Sequence, residues 1–306
     1  MVNNASIRHL RCFVAVAEEG SFARAADRLG LTHSALSATI KAAEAAMGVG
    51  LFHRTTRRVE LTPAAAGFLP MARVLIRDFD TAIDDLRGQA GGQGGHVRIA
   101  TATSVMAVVL TPVIEALATQ HPDMRFTIRD GVSSDVQNRV LTGDAELGFT
   151  SRWQDDAALS FRPLLRDELG LVVREGHPLA AGPAVPRWDG LAPWPYVALT
   201  LDTGTRVALQ GAGVLPQPRH EVSTFTMLAP LLMAGDGFSI VPALFGSLPV
   251  ARGLVFRRMA RPNVSREICL ITRRGRALSA AAQTVMAQVL RRLRLMDLPE
   301  GSRALR

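Results

Sequence analysis

Residues 21–47 read SFARAADRLGLTHSALSATIKAAEAAM. Phe22, Ala25, Ala26 and Leu29 recur at helical spacing, and Leu36, Ile40, Ala43 and Met47 do so again after a break at Gly30-Leu31-Thr32. Two short helices joined by a tight turn are therefore expected. Ser21 and Thr32 serve as N-caps, because a short hydroxyl side chain accepts from an amide that the first helical turn leaves unpaired. The second helix turns its apolar residues inward and Thr32, His33, Ser34 and Ser37 outward, as a helix lying in a major groove does. Any two alanine-rich amphipathic helices separated by a glycine would give much of this pattern, so the flanking residues decide.

On the downstream side, residues 51–62 read LFHRTTRRVELT. Val59 and Leu61 alternate with polar neighbours as a short strand does, and Arg54, Arg57 and Arg58 crowd the loop before it. This is the pattern of a wing that reaches phosphates. Lys41 on the second helix adds a further cation on the same module. Upstream, residues 7–19 place Leu10, Phe13, Val14 and Ala17 on one helical face, a support for the other two helices.

The run from Leu10 to Phe68, with FVAVAEEGSFARAADRLGLTHSALS and then LFHRTTRRVELTPAAAG, resembles the amino-terminal domain of the LysR-type transcriptional regulators. The resemblance implies a bacterial, sequence-specific DNA-binding regulator with three parts: an N-terminal winged helix-turn-helix, a dimerising linker helix, and a C-terminal two-lobed α/β effector domain like a periplasmic binding protein. Where the family usually carries a Gln-Pro or Pro-Pro pair, this chain has His33-Ser34. Where it carries a basic-polar pair, this chain has Ala38-Thr39. The groove-facing surface is thereby left with fewer charges.

Net charge +8 does not by itself indicate nucleic acid. Residues 1–87 hold 11 basic and 9 acidic side chains, residues 88–251 hold 11 and 15, and residues 252–306 hold 13 and 3, so the excess lies at the far end. Local clustering of Arg54, Arg57 and Arg58 with Lys41 carries the expectation of DNA binding. The first residues lack the apolar core of a signal peptide and no apolar run suggests a membrane span, so a cytoplasmic protein without a membrane partner is expected. Cys12 and Cys269, far apart among apolar neighbours, read as two buried thiols rather than a redox pair.

From Pro63 to Arg87 one long helix is expected, with Thr62 as its cap and Pro63 at its first position. Ala65, Ala72, Phe79 and Leu86 recur every seven residues, with Leu69, Ile76 and Ile83 as a companion series. The pattern is either a coiled-coil seam or an amphipathic helix packed on its own domain; the family resemblance implies dimerisation through it, and a tetramer built from such pairs. Residues 88–95, five glycines in eight positions, are expected to end the helix as a hinge.

Beyond the hinge, strands alternate with helices, which predicts an α/β domain with mainly parallel sheets over residues 96–306. Lobe 1 is expected at about 96–165 and 268–306, and lobe 2 at about 166–267. LGLVV at 169–173 and GDGFSIVP at 235–242 are similar to stretches of the family's effector domains. Such domains bind small molecules at the carboxyl ends of their strands. Thr101, Thr103, Ser104, Thr150, Ser151, Thr203 and Thr205 stand at those points as effector candidates, each equally readable as a helix cap. Arg152 would pair with an anionic effector, or be an ordinary surface arginine.

No nucleophile elbow, HExxH or P-loop is present, and the seven histidines are scattered. Adjacent carboxylates such as Asp167-Glu168 read as solvated faces. The expectation is a DNA-binding regulator, not an enzyme, without metal or cofactor. Its partners would be double-stranded DNA, itself, a small-molecule co-inducer and, as the family implies, RNA polymerase.

Overall fold

The computed structural model describes residues 4–53, 59–91, 95–181, 185–199 and 203–305. The chain divides into two compact units, Met1–Arg87 with Thr142–Asp144, and Gly88–Leu141 with Ala145–Arg306.

The first unit is helical. Helices α1 (Ile7–Glu19), α2 (Phe22–Leu29) and α3 (His33–Met47) pack around Phe13, Val16, Ala25, Ala26, Leu36 and Ile40, all buried. The expected caps are in place: Ser21 Oγ accepts from Arg24 N at 3.4 Å and Thr32 Oγ1 from Ala35 N at 3.2 Å. Gly30 closes α2 in the left-handed region at φ +63°, where a Cβ would be strained. Two chain segments then run antiparallel. His53 N donates to Glu60 O at 2.9 Å, Thr62 N donates to Leu51 O at 3.0 Å, and Phe52 bridges Leu61. Glu44 of α3 accepts from Leu51 N at 2.7 Å, which fixes these segments to the end of α3. They form the base of the expected wing; Arg54, Arg57 and Arg58 lie outside the described residues.

Helix α4 runs Pro63–Gly91, four residues past the expected end at Arg87. A glycine costs a helix interior only about 1 kcal/mol relative to alanine, and Gln89 and Ala90 are good helix formers, so Gly88 does not stop it. The expected hinge over 88–95 is thereby corrected at both ends: residues 88–91 belong to α4 and Gly95 to a strand, while residues 92–94 lie outside the described residues. The expected seam also splits. Ala65 and Ala72 are buried, with Leu69 and Ile76 against them, in the core of the first unit. Met71, Leu75, Phe79 and Leu86 instead form an exposed apolar stripe.

The second unit is α/β. Strands β1 (Gly95–Thr101), β2 (Met124–Asp130) and β3 (Leu147–Ser151) are parallel, with helices between them: α5 (Thr103–Val105), a π segment (Met106–Leu110) and α6 (Thr111–Gln120) after β1, and α7 (Ser133–Leu141) after β2. The run Thr103–Gln120 is long and apolar enough to cross a membrane by length and composition, contrary to expectation. It buries Val105, Val109, Leu110, Val113 and Leu117 in the lobe-1 core.

Strand β4 (Leu159–Arg174) crosses both lobes. Its first part pairs antiparallel with the later strand β9 (Ser265–Arg273), and its last part with β7 (Ser239–Pro242) and β8 (Leu254–Arg258). Lobe 2 also holds β5 (Val197–Leu199) and β6 (His220–Val222), a parallel pair, and helices α8 (Thr203–Gly211) and α9 (Phe225–Ala234). Helix α10 (Ala280–Leu295) covers lobe 1, and β10 (Ser302–Ala304) joins the sheet edge beside β4. Sheet order is β10-β4-β9-β3-β1-β2. The sheets are less parallel than expected, because β4 carries four antiparallel neighbours that the alternation of elements does not reveal, two of them, β8 and β10, unforeseen.

Candidate functional site

Two groups of residues meet the requirements of a site. The first is the outer face of α3. Thr32, His33, Ser34 and Lys41 are exposed and Ser37 is half-buried, as an outward face requires. Thr32 Oγ1 lies 3.1 Å from Ser34 Oγ, and Thr39 Oγ1 donates to Ala35 O at 2.8 Å, so these hydroxyls are engaged by their own helix. The His33 ring stands 6.1 Å from Phe22. Arg28 pairs with Glu18 at 2.9 Å and Glu19 at 3.1 Å, and Arg73 with Glu18 at 3.1 Å. Those cations brace α1, α2 and α4 against one another rather than serving a ligand.

The second group lies where the lobes of the α/β unit meet. Ser133 Oγ and Thr150 Oγ1 are 3.0 Å apart and both residues are buried. Ser151 is buried and its Oγ has no hydrogen-bond partner among the described residues. Gly204, in the first turn of α8, abuts it so closely that a Cβ there would fall 2.7 Å from Ser151 Oγ and 3.2 Å from Ser133 Oγ. The cleft is thus shut at this point, with hydroxyls on one side and the amino terminus of α8 on the other. Thr205 is buried and lines a neighbouring pocket with Tyr196, Leu199, Arg206, Leu209 and Ile240.

The other expected cleft residues are disposed differently. Thr101 donates to Phe149 O at 3.3 Å and ties β1 to β3. Thr103 is exposed, 3.4 Å from Asp130. Ser104 is buried and accepts from Arg266 Nη2 at 2.9 Å. The Thr203 side chain lies outside what is described. Arg152, expected to meet an anion, pairs with Asp155 at 3.0 Å and stacks over Phe161 at 4.6 Å, since a guanidinium gains from both a carboxylate and an aromatic face.

Ser133, Gly204, Asp167 and Arg266 were missed by the sequence reading. Ser133 begins α7 after β2, the same placement that singled out Thr103, but two residues intervene. Asp167 is fully buried rather than solvated, and Glu168 holds Arg258 through two oxygens at 2.6 and 2.8 Å. Both cysteines are free and buried. Burial pushes the Cys12 thiol upward, and it pushes Cys269, beside Glu267, up to about 12. Among the described residues no cluster of three His, Cys, Asp or Glu side chains is placed to hold a metal.

Comparison with known proteins assigns these two groups to two known domains. The model of the bacterial regulatory helix-turn-helix protein, lysR family, matches residues 7–66, and that of the LysR substrate binding domain matches residues 90–294. The HTH-type transcriptional regulator YfeR of Shigella flexneri, itself described as uncharacterised, is 31% identical over 287 residues, covering 92% of each chain. Full-length CbnR in complex with its target DNA superposes with a TM-score of 0.67 at 24% identity, covering 94% of this chain and 99% of that one. Full-length OxyR from Pseudomonas aeruginosa does so at 0.70 and 19%, covering 98% of each, and both likenesses speak to the fold. The chain belongs to the LysR family of DNA-binding transcriptional regulators, with a helix-turn-helix domain followed by a substrate-binding domain.

Proposed function

We propose that α3 enters the major groove with Thr32, His33, Ser34, Ser37 and Lys41, while Arg54, Arg57 and Arg58 of the wing hold the flanking phosphates. The observation that carries this reading is the outward face of α3: a capped helix that exposes His33, Ser34 and Lys41, with the small Ala38, Ala42 and Ala45 beside them, while Leu36, Ile40 and Ala43 anchor it in the core. Phosphate contacts position the module and base contacts specify it. The exposed Met71, Leu75, Phe79 and Leu86 supply a face for a second copy of α4, since an apolar stripe of this size on a helix favours burial against its like. A dimer, and a tetramer of two dimers, would set the spacing of operator half-sites. The protein would act in the cytoplasm, where its DNA is, and as a regulator rather than an enzyme.

The effector would enter the cleft at Ser133, Thr150, Ser151, Gly204 and Thr205, with Thr101, Thr103, Ser104 and Thr203 at its margins. Because Arg152 is engaged with Asp155 and Phe161, an anionic effector would be held by hydroxyls and helix amino termini rather than by that guanidinium. Its binding would change the angle between the lobes, and through them the DNA bend and the contact with RNA polymerase. A thermal-shift screen of small carboxylic acids and neutral metabolites tests this. A compound that stabilises the native chain, but not Ser151→Ala, and also alters DNA affinity is the expected result. A compound that alters DNA affinity while stabilising Ser151→Ala equally would move the effector to another place.

A further inference from the structure

We propose that His33 sets base specificity by donating a ring N–H to guanine in the major groove, an inference that rests on α3 being the groove-reading helix. Of the side chains on that face, the hydroxyls are largely engaged. Thr32 Oγ1 caps the helix at Ala35 N and lies against Ser34 Oγ, Thr39 donates to Ala35 O, and Ser37 is half-buried. His33 is exposed, and its ring makes no hydrogen bond among the described residues.

The ring is nevertheless held. Its centroid lies 6.1 Å from Phe22 at 55°; Phe22 lies 5.7 Å from Phe52, and Phe52 lies 5.8 Å from Phe13, which is fully buried. His33 is thus the outermost member of a row of rings that begins in the core of the first unit. A side chain braced in this way loses little freedom when it binds, which is what a base-reading contact requires. Lys41 is the other long polar side chain exposed on α3. It is a flexible point charge suited to phosphate, which carries no sequence.

The chemistry selects the base. An imidazole carries at least one ring N–H in either protonation state. In the major groove only guanine presents two acceptors side by side, N7 and O6; adenine sets an amino donor beside N7, thymine a methyl beside O4, and cytosine offers a donor. A single N–H aimed between N7 and O6 meets two acceptors at guanine, one at adenine or thymine and none at cytosine, so guanine is favoured. Glutamine at the same position would pair with adenine N6 and N7 instead.

The test is selection from a random duplex library with the full-length protein, comparing wild type with His33→Ala and His33→Gln. The expected result is a motif with guanine at one position of each half-site. That position alone loses its preference in His33→Ala and moves to adenine in His33→Gln. Measured on the selected duplex, His33→Ala should lose about tenfold in affinity with the salt slope unchanged. If His33→Ala selected the same motif as wild type, or weakened all sequences alike with a shallower salt slope, His33 would be a scaffold or phosphate residue and the proposal would be overturned. If wild type enriched no motif, the groove-reading role of α3 would itself fail, and the proposal with it.

Discussion

Arg266 and Asp167 form a buried ion pair in which Nε and Nη2 of the guanidinium both donate to the carboxylate Oδ2, at 3.1 and 3.0 Å. The other carboxylate oxygen accepts from Leu244 N at 3.1 Å and from Ser302 Oγ at 2.9 Å, and Arg266 Nη2 also reaches Ser104. One pair thus joins β4, β9, β10, the start of α5 and the turn after β7. Removing one partner leaves an uncompensated buried charge, so Arg266→Met should lower stability by about 3–5 kcal/mol, read as a lower urea midpoint. Replacing both residues with apolar ones of similar size should recover much of that loss. A single variant within experimental error of wild type would show that the pair is not closed in solution.

Ser151 predicts the opposite sign. Its buried hydroxyl has no partner among the described residues, so Ser151→Ala removes an unsatisfied group and should leave thermal stability unchanged or raised, within about 0.5 kcal/mol. Gly204→Ala should instead destabilise by about 1–3 kcal/mol, because the added methyl would meet Ser151 Oγ at 2.7 Å and force the lobes apart.

The stripe on α4 makes a prediction about assembly. Leu75→Glu with Phe79→Glu places two charges on an exposed apolar face, and sedimentation velocity should show a shift toward monomer with the helical content kept. If the oligomer persisted, the second copy would be held elsewhere.

The thiols predict silence. With Cys12 and Cys269 both raised by burial, neither forms an appreciable thiolate near neutral pH, and Ellman's reagent should find no reactive thiol in the native protein and two after denaturation. A thiol whose folded pKa lies above its unfolded one stabilises the native state below the unfolded value of about 8.5 and loses that contribution as pH rises toward 12. Stability should therefore decline across that window, and less so in Cys269→Ala. Rapid native labelling would contradict the burial.

The sequence made the helix-turn-helix legible because its signals are local: apolar spacing, hydroxyl caps at Ser21 and Thr32, and a glycine at Gly30. The strand ends of the α/β unit were legible for the same reason. What escaped was set by tertiary pairing. The burial of Asp167 depends on Arg266, distant in sequence, and the engagement of Arg152 depends on Phe161 across a turn. The approach of Gly204 to Ser151 depends on two lobes closing. Gly88 was misread because composition exaggerates the effect of one glycine on a helix that already propagates.

The most direct measurement is a mobility shift of the full-length protein on the intergenic DNA upstream of its own gene, at two salt concentrations, with footprinting of the complex. A complex that weakens with salt and protects half-sites about one helical turn, or a multiple, apart is predicted, and Arg57→Ala should weaken all sequences alike and lower the salt slope by about one unit. Protection of a single isolated site, or Arg57→Ala binding with the same affinity and slope as wild type, would contradict a paired reader anchored by its wing.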